Sequence, residues 1–113
     1  MNFQEVIDSL VLSLKPSNPY KIILFGSYAK GNPNENSDLD IMIILDNYHV
    51  PKTYEERLNK KVLIRSLILD INRKIPIDIL VYSKEELNII KKCGSYLIDE
   101  IEKTGKIIYA KTD

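Results

Sequence analysis

Residues 21–45, KIILFGSYAKGNPNENSDLDIMIIL, decide how the chain folds. Two apolar runs rich in isoleucine, 21–25 and 39–45, have the length of β-strands. A glycine and a serine end the first run, and a polar loop predicted over 32–36 leads towards the second. Because the connection is too short for a full crossover helix, we expect the two strands to be antiparallel.

The segments on either side predict helices and two further strands. Apolar residues recur every three to four positions over 2–14, which is typical of an amphipathic helix. Possible capping boxes, Thr53 with Glu56 and Ser83 with Glu86, predict helices beginning near 54 and 84. The first of these should run to about Lys74, and its core face should use Leu58, Val62, the stem of Arg65 and Leu69. The remaining predicted elements are a strand over 77–82, a helix over 95–103 and a strand over 106–110.

This order of elements predicts the fold class. We expect an α/β (α+β) fold, a small mixed β-sheet with helices packed on it. The 113 residues are enough for one hydrophobic core and too few for two ordinary domains, so residues 1–113 should form a single domain.

The composition excludes several classes of function. Sixteen Lys and Arg residues balance sixteen Asp and Glu residues, so the chain lacks the basic surplus of a nucleic-acid-binding protein. No apolar run approaches the roughly 20 residues of a membrane helix, so we expect no membrane association. The single cysteine, Cys93, allows no internal disulfide and no thiolate zinc cluster, which fits a cytoplasmic protein.

Three carboxylates mark the strands of this predicted sheet. Asp38 and Asp40 stand two residues apart at the start of the 39–45 strand, so both should point to one face, about 6.6–6.8 Å apart. Asp78 lies inside the 77–82 strand. We expect these acids to be buried, where a charge is costly unless it is paired or bound to a metal. Their mutual repulsion would be relieved by a cation.

These residue types fit phosphate chemistry. Mg²⁺ prefers oxygen ligands, and two such ions, about 3.5–4 Å apart, can stabilise the attacking and leaving oxygens of a nucleotidyl transfer. Asp78 could both ligate a metal and accept the proton of an incoming hydroxyl. Gly26 allows a phosphate to approach the backbone, and Ser27, expected to cap a short helical turn, offers a hydroxyl and neighbouring N–H donors.

Other interpretations of the same residues fit less well. Gly26 and Gly31 have the spacing of a Walker A loop, but Asn and Pro follow where that loop needs Lys and Ser or Thr. His49 is the only histidine and falls in a predicted turn, so it suits neither a triad nor a zinc site. Cys93 is expected to be a half-buried helix residue. Asp38 taken alone would be an ordinary turn or cap residue.

The stretch GSYAKGNPNENSDLDIMI resembles the signature of the polymerase-β-like nucleotidyltransferase superfamily. Its Gly-Ser-x-Ala-x-Gly start, its Ser-Asp-x-Asp end and the short chain resemble the minimal nucleotidyltransferases, or MNT proteins. The resemblance implies the nucleotidyltransferase fold. It makes Gly26 and Ser27 the nucleotide-binding residues, and Asp38, Asp40 and Asp78 the catalytic, metal-binding acids.

The resemblance also implies an activity and a partner. We expect transfer of a nucleoside monophosphate from an NTP, with ATP as donor and two Mg²⁺ ions as cofactor, to a hydroxyl acceptor. Minimal family members are commonly paired with a helical HEPN toxin and act as its antitoxin by adenylylating a tyrosine. Two alternatives stay open: an antitoxin that works by binding alone, and a transferase for a small-molecule acceptor. Homo-oligomers and hetero-oligomers both stay open.

Overall fold

Four strands form one sheet in the order β3-β2-β1-β4. The computed structural model describes residues 2–33 and 37–112, so part of the loop predicted over 32–36 lies outside the described residues. In chain order the elements are α1 (Phe3–Leu14), a 3₁₀ turn (Lys15–Ser17), β1 (Pro19–Phe25), α2 (Ser27–Lys30), β2 (Leu39–Leu45), α3 (Tyr54–Leu67), α4 (Leu69–Lys74), β3 (Ile77–Ser83), α5 (Lys84–Cys93), α6 (Tyr96–Thr104) and β4 (Lys106–Ala110).

The sheet is mixed, as the sequence predicts. β1 runs antiparallel to both β2 and β4. β2 and β3 are parallel, and α3 and α4 form the crossover between them. The predicted fold class and the antiparallel pairing of the first two strands are therefore confirmed.

Helices cover both faces of the sheet, which explains why β2 is almost wholly apolar. On one face, residues of β2 such as Ile41 and Ile43 pack with buried residues of α1 and α3. On the other face, Met42 and Ile44 pack with residues of α5 and α6. Burying one such side chain stabilises the fold by about 1.5–3 kcal/mol.

The predicted core face of α3 is wrong except at Arg65, which is half-buried. Leu58, Val62 and Leu69 are 43%, 57% and 45% exposed, whereas Ile64 and Ile68 are buried in the core. Apolar residues occur all round this segment, so its periodicity does not single out one face. Contact with α1 and β3 selects the Ile64 side. The helix also breaks at Ile68, where the backbone leaves the helical region, and α4 continues the segment to Lys74.

The two predicted capping boxes have different outcomes. Ser83 and Glu86 form the complete box at the start of α5. At α3 the Thr53 side chain accepts a hydrogen bond from the Glu56 N–H, but the Glu56 carboxylate turns away to the Lys52 N–H and the His49 ring. Within residues 2–33 and 37–112, every helix is too short or too polar to cross a membrane.

Candidate active site

Asp40 and Asp78 lie side by side at the starts of two parallel strands. Each is the second residue of its strand, and the two are direct partners in the register of β2 and β3. Partners on parallel strands point to the same face, and adjacent strands lie about 4.8 Å apart. The same face carries Met42 and Leu80 two residues further along, in the cluster under α5 and α6.

Asp38 joins this pair from the segment just before β2. Partial burial raises the pKa of the Asp40 carboxyl, and the negative charges of Asp78 and of Asp38 raise that pKa further. The charges of Asp38 and Asp78 therefore both act on the Asp40 carboxyl. The structure brings together the three acids that the sequence selects.

The expected burial of these acids is wrong. Asp38 and Asp78 are exposed and Asp40 is only half-buried. The acids stand at the ends of their strands, while the fully buried neighbours Leu39 and Ile77 pack into the core on the opposite face. Partial burial of Asp40 and the repulsion from Asp78 and Asp38 both disfavour its negative charge, and a cation bound here would offset both effects.

Gly26 presses against the Asp40 carboxylate. Its backbone has φ 75° and ψ −156°, a conformation that is almost confined to glycine. A Cβ at this position would overlap Oδ2 of Asp40. The strand pairing explains this contact, because Phe25, the residue before Gly26, is the register partner of Asp40. The glycine thus lets the β1–α2 turn lie directly beside the acid pair.

Ser27 begins α2, but it is not the cap predicted from the sequence. Gly26 is the N-cap residue, and its carbonyl accepts hydrogen bonds from the Ala29 and Lys30 N–H groups, each 3.1 Å long. Ser27 therefore lies inside the first turn, next to the N–H groups that a helix leaves without internal acceptors. Gly31 closes α2 in the left-handed conformation.

A cavity of about 280 Å³ opens beside the acids. Asp40 and Asp78 form its polar end, and Phe25, Leu80 and Leu97 form apolar walls. Lys61 of α3 also lines it. Sequence reasoning missed Lys61 and Leu97, since only the packing of α3 and α6 brings them here. Phe25 could have been found from its place immediately before the Gly-Ser turn.

The donor chemistry of the site fits Mg²⁺. Three neighbouring carboxylates offer the oxygen ligands that this ion prefers, and a dication would offset the repulsion that raises the pKa of Asp40. Across the part of the chain that the structure describes, no three His, Cys, Asp or Glu side chains are already gathered closely enough to hold a metal. The carboxylates would therefore have to turn towards the ion as it binds.

The other singled-out residues lie elsewhere. The His49 side chain is exposed and contacts Glu56 at the start of α3. Cys93 ends α5 and is exposed, which corrects the half-buried position expected for it. Neither residue lines the cavity beside the acids.

Solved structures of similar fold include nucleotidyltransferases and toxin–antitoxin pairs. A toxin–antitoxin structure with AMP-PNP matches with a TM-score of 0.58 and 19% identity, covering 94% of this chain and 74% of that one. A complex of the tri-AMPylated Shewanella oneidensis HEPN toxin with the MNT antitoxin gives a TM-score of 0.55 at 17% identity, covering 96% and 72%. At these identities the likeness supports the fold alone.

Two relatives in sequence carry names that describe an activity. Two proteins of Methanocaldococcus jannaschii are each named "Putative protein adenylyltransferase". MJ0604 is 33% identical over 112 residues, covering 96% of this chain and all of that protein, and MJ1305 is 35% identical over 88 residues. The MJ1305 match covers 78% of this chain but only 56% of that relative's length. The family model described as polymerase beta, nucleotidyltransferase matches residues 10–113, and the chain therefore belongs to that nucleotidyltransferase family.

Proposed function

We propose that this protein is a Mg²⁺-dependent adenylyltransferase that transfers AMP from ATP to a tyrosine hydroxyl of a HEPN toxin, and that it thereby acts as the antitoxin. The observation that carries the proposal is the pairing of Asp40 with Asp78, with Asp38 and Gly26 against them. The names of the M. jannaschii relatives support protein adenylylation. The AMPylated HEPN toxin in complex with an MNT antitoxin supports the kind of partner.

The residues divide into a nucleotide side and an acceptor side. β1 and β3 flank β2 on opposite sides, so Gly26 and Ser27 lie on one side of Asp40 and Asp78 lies on the other. Gly26 and Ser27 would hold the triphosphate. Asp38 and Asp40 would hold Mg²⁺, with Asp78 as a ligand on the acceptor side. Bound Mg²⁺ supplies positive charge against the triphosphate and the departing pyrophosphate.

The reaction is an in-line substitution at phosphorus. The acceptor oxygen attacks the α-phosphorus of ATP, an oxygen–phosphorus bond forms, and the bond from the α-phosphorus to the bridging oxygen breaks. Pyrophosphate leaves with the electron pair. Asp78 accepts the proton of the attacking hydroxyl, because it is the acid farthest from Gly26 and Ser27, the residues proposed to bind the triphosphate.

Transfer of labelled AMP to a HEPN protein tests the proposal. The protein is incubated with ATP, Mg²⁺ and the HEPN protein, and the adduct is measured by intact mass. Loss of transfer is expected for Asp40→Asn and for Asp78→Asn. Asp70→Asn is the matched control, because Asp70 is an almost fully exposed acid on α4 that, among residues 2–33 and 37–112, forms an ion pair with the exposed Arg73 alone. Unchanged transfer by the Asp40 and Asp78 variants would disprove the assigned roles.

A second function, neutralisation by binding alone, is favoured by the exposed apolar surface of α1 and α3. Leu12 and Leu63 are among the most exposed apolar side chains of the described residues, and Val62 lies beside Leu63. Such a surface is typical of a protein interface. If Asp78→Ala still neutralises the toxin fully while transferring no AMP, binding alone is the function. Transfer to aminoglycoside-type alcohols instead of protein would favour a small-molecule acceptor.

A further inference from the structure

Three basic side chains of α3 line a small cavity at the outer edge of β3. Arg57, Lys60 and Lys61 lie three and four residues apart, so they share one face of the helix. The cavity measures about 110 Å³, and its other wall is the 80–82 segment of β3. β3 is an edge strand, so this basic row runs along the open side of the sheet.

One buried carboxylate fixes part of this row. Glu86 is 3% exposed, and its Oε2 lies 2.6 Å from Nη2 of Arg57. Its Oε1 accepts a hydrogen bond from the Ser83 N–H and lies 3.8 Å from Nζ of Lys60. Glu86 thus ties the start of α5 to α3 and holds two of the three cations in place. Glu86 sets one negative charge against the two positive charges of Arg57 and Lys60, and Lys61 adds a third positive charge to the row.

The ammonium group of Lys60 lacks a hydrogen-bond acceptor. Its Nζ is buried from solvent and makes no hydrogen bond to any residue in 2–33 or 37–112. An ammonium carries three donors, and a buried donor without a partner is unfavourable. Lys61 is half-exposed and, within residues 2–33 and 37–112, forms no ion pair. Arg57 is exposed and Lys61 is half-exposed, so an anion entering the cavity would contact these two side chains and place negative charge close to Lys60.

This cavity is separate from the turn at Gly26 and Ser27 that is proposed to bind the triphosphate. Lys61 and Leu80 line both this cavity and the one that holds Asp40 and Asp78, so the two cavities are neighbours. Gly26 lies beyond β2 on the β1 side, two strands away from the basic row. An anion bound at Arg57 and Lys60 would therefore belong to the molecule that approaches Asp78, not to the triphosphate.

We propose that Arg57, Lys60 and Lys61 form a subsite for a carboxylate that the acceptor protein carries beside its reactive hydroxyl. This subsite rests on the adenylyl transfer proposed above, because its ligand is part of the acceptor protein. It makes the enzyme selective for a tyrosine flanked by Asp or Glu. The walls formed by Phe25, Leu80 and Leu97 would contact the aromatic ring while the basic row contacts the acidic neighbour.

Peptide binding tests this subsite without any catalytic turnover. The probes are two capped peptides, Glu-Tyr-Glu and Gln-Tyr-Gln, titrated into the full protein with Mg²⁺ and without ATP, and followed by amide chemical shifts of residues 57–61 and 78–82. The wild type should bind the acidic peptide about tenfold more tightly, the gain expected for one charge-assisted hydrogen-bonded pair. Lys61→Gln and Lys60→Met should remove most of that preference. Lys92→Gln, an exposed lysine of α5, is the control and should keep it.

Each outcome decides the proposal. Lys61→Gln keeps a half-exposed position polar, so it remains informative if Lys60→Met fails to fold. No preference in the wild type, or an unchanged preference in Lys61→Gln, would overturn the subsite. Weakened binding of AMP-PNP by Lys61→Gln with an unchanged peptide preference would also overturn it, by assigning the lysine to the nucleotide. Peptide binding is measured separately from AMP transfer. A protein that binds the acidic peptide but transfers no AMP in the transfer assay refutes the proposed function and leaves the subsite standing.

Discussion

Replacing Gly26 with alanine tests whether the β1–α2 turn positions the Asp40 carboxylate. The substitution has two effects at once. An L-residue must adopt φ 75° and ψ −156°, and its methyl group must displace Oδ2 of Asp40. Gly31→Ala is a matched control at the other end of α2, because Gly31 also has a positive φ (79°) but no contact within 4 Å is found for its added Cβ in the part of the chain that the structure describes.

The expected loss of stability follows from these two contributions. The backbone conformation at residue 26 costs an alanine about 1–3 kcal/mol. Forcing the Asp40 side chain off its rotamer adds about 0.5–1.5 kcal/mol. Gly31→Ala should cost about 1–2 kcal/mol, from its left-handed backbone alone. Urea denaturation of the two variants measures the difference.

A double-mutant cycle isolates the contact with Asp40. In an Asp40→Ala background the carboxylate is absent, so Gly26→Ala should lose only the backbone contribution, and the coupling should be about 0.5–1.5 kcal/mol. Adenylyl transfer provides the second measurement. Displacing a ligating carboxylate by about 1 Å should lower the rate about 100-fold, while Gly31→Ala stays within a few-fold of wild type. Equal costs at both glycines, no coupling and retained transfer together would refute the proposed positioning.

Two further predictions concern charge and pH. The pKa of Asp40 is raised in the folded protein, so folding is favoured less as the pH rises through that raised pKa. Asp40→Asn should therefore raise the melting temperature at neutral pH. Mg²⁺ should raise the melting temperature of the wild type but not of this variant. A magnesium-induced rise in the melting temperature of Asp40→Asn would contradict the proposed role of Asp40 as a ligand. Asp46 behaves in the opposite way, because hydrogen bonds from Lys111 and Lys84 lower its pKa. Its stabilising effect is present above the usual carboxyl pKa and is lost as the pH falls through the lowered value, so Asp46→Asn should lower the melting temperature at neutral pH and converge with wild type in acid. Equal differences at both pH values would show that the ion pairs contribute nothing.

The parts of the fold that depend on short-range patterns were predictable. β2 is predicted to the residue because its apolar run, which only Asp40 interrupts, lies between two polar segments. The box of Ser83 and Glu86 is also local, since its two hydrogen bonds span three residues. The grouping of Asp38, Asp40 and Asp78 followed from the same kind of reasoning, applied to the starts of two strands.

Features that depend on long-range packing were not predictable. The buried face of α3 is chosen by α1 and β3, and the segment itself carries apolar residues on several sides. Lys61 reaches the cavity beside Asp40 and Asp78 because α3 packs against β3, a relation that no spacing in the sequence encodes.

The last strand has a consequence for how the sheet is completed. β1 lies inside the sheet only because β4, residues 106–110, pairs along one of its sides. The residues proposed to bind nucleotide and metal, in contrast, all precede Ser83. A chain shortened before Lys106 would keep every one of those residues and turn β1 into an exposed edge, with unpaired N–H and C=O groups open to strands of other molecules. The strand farthest from the acids is thus the one that protects the site-bearing sheet from aggregation.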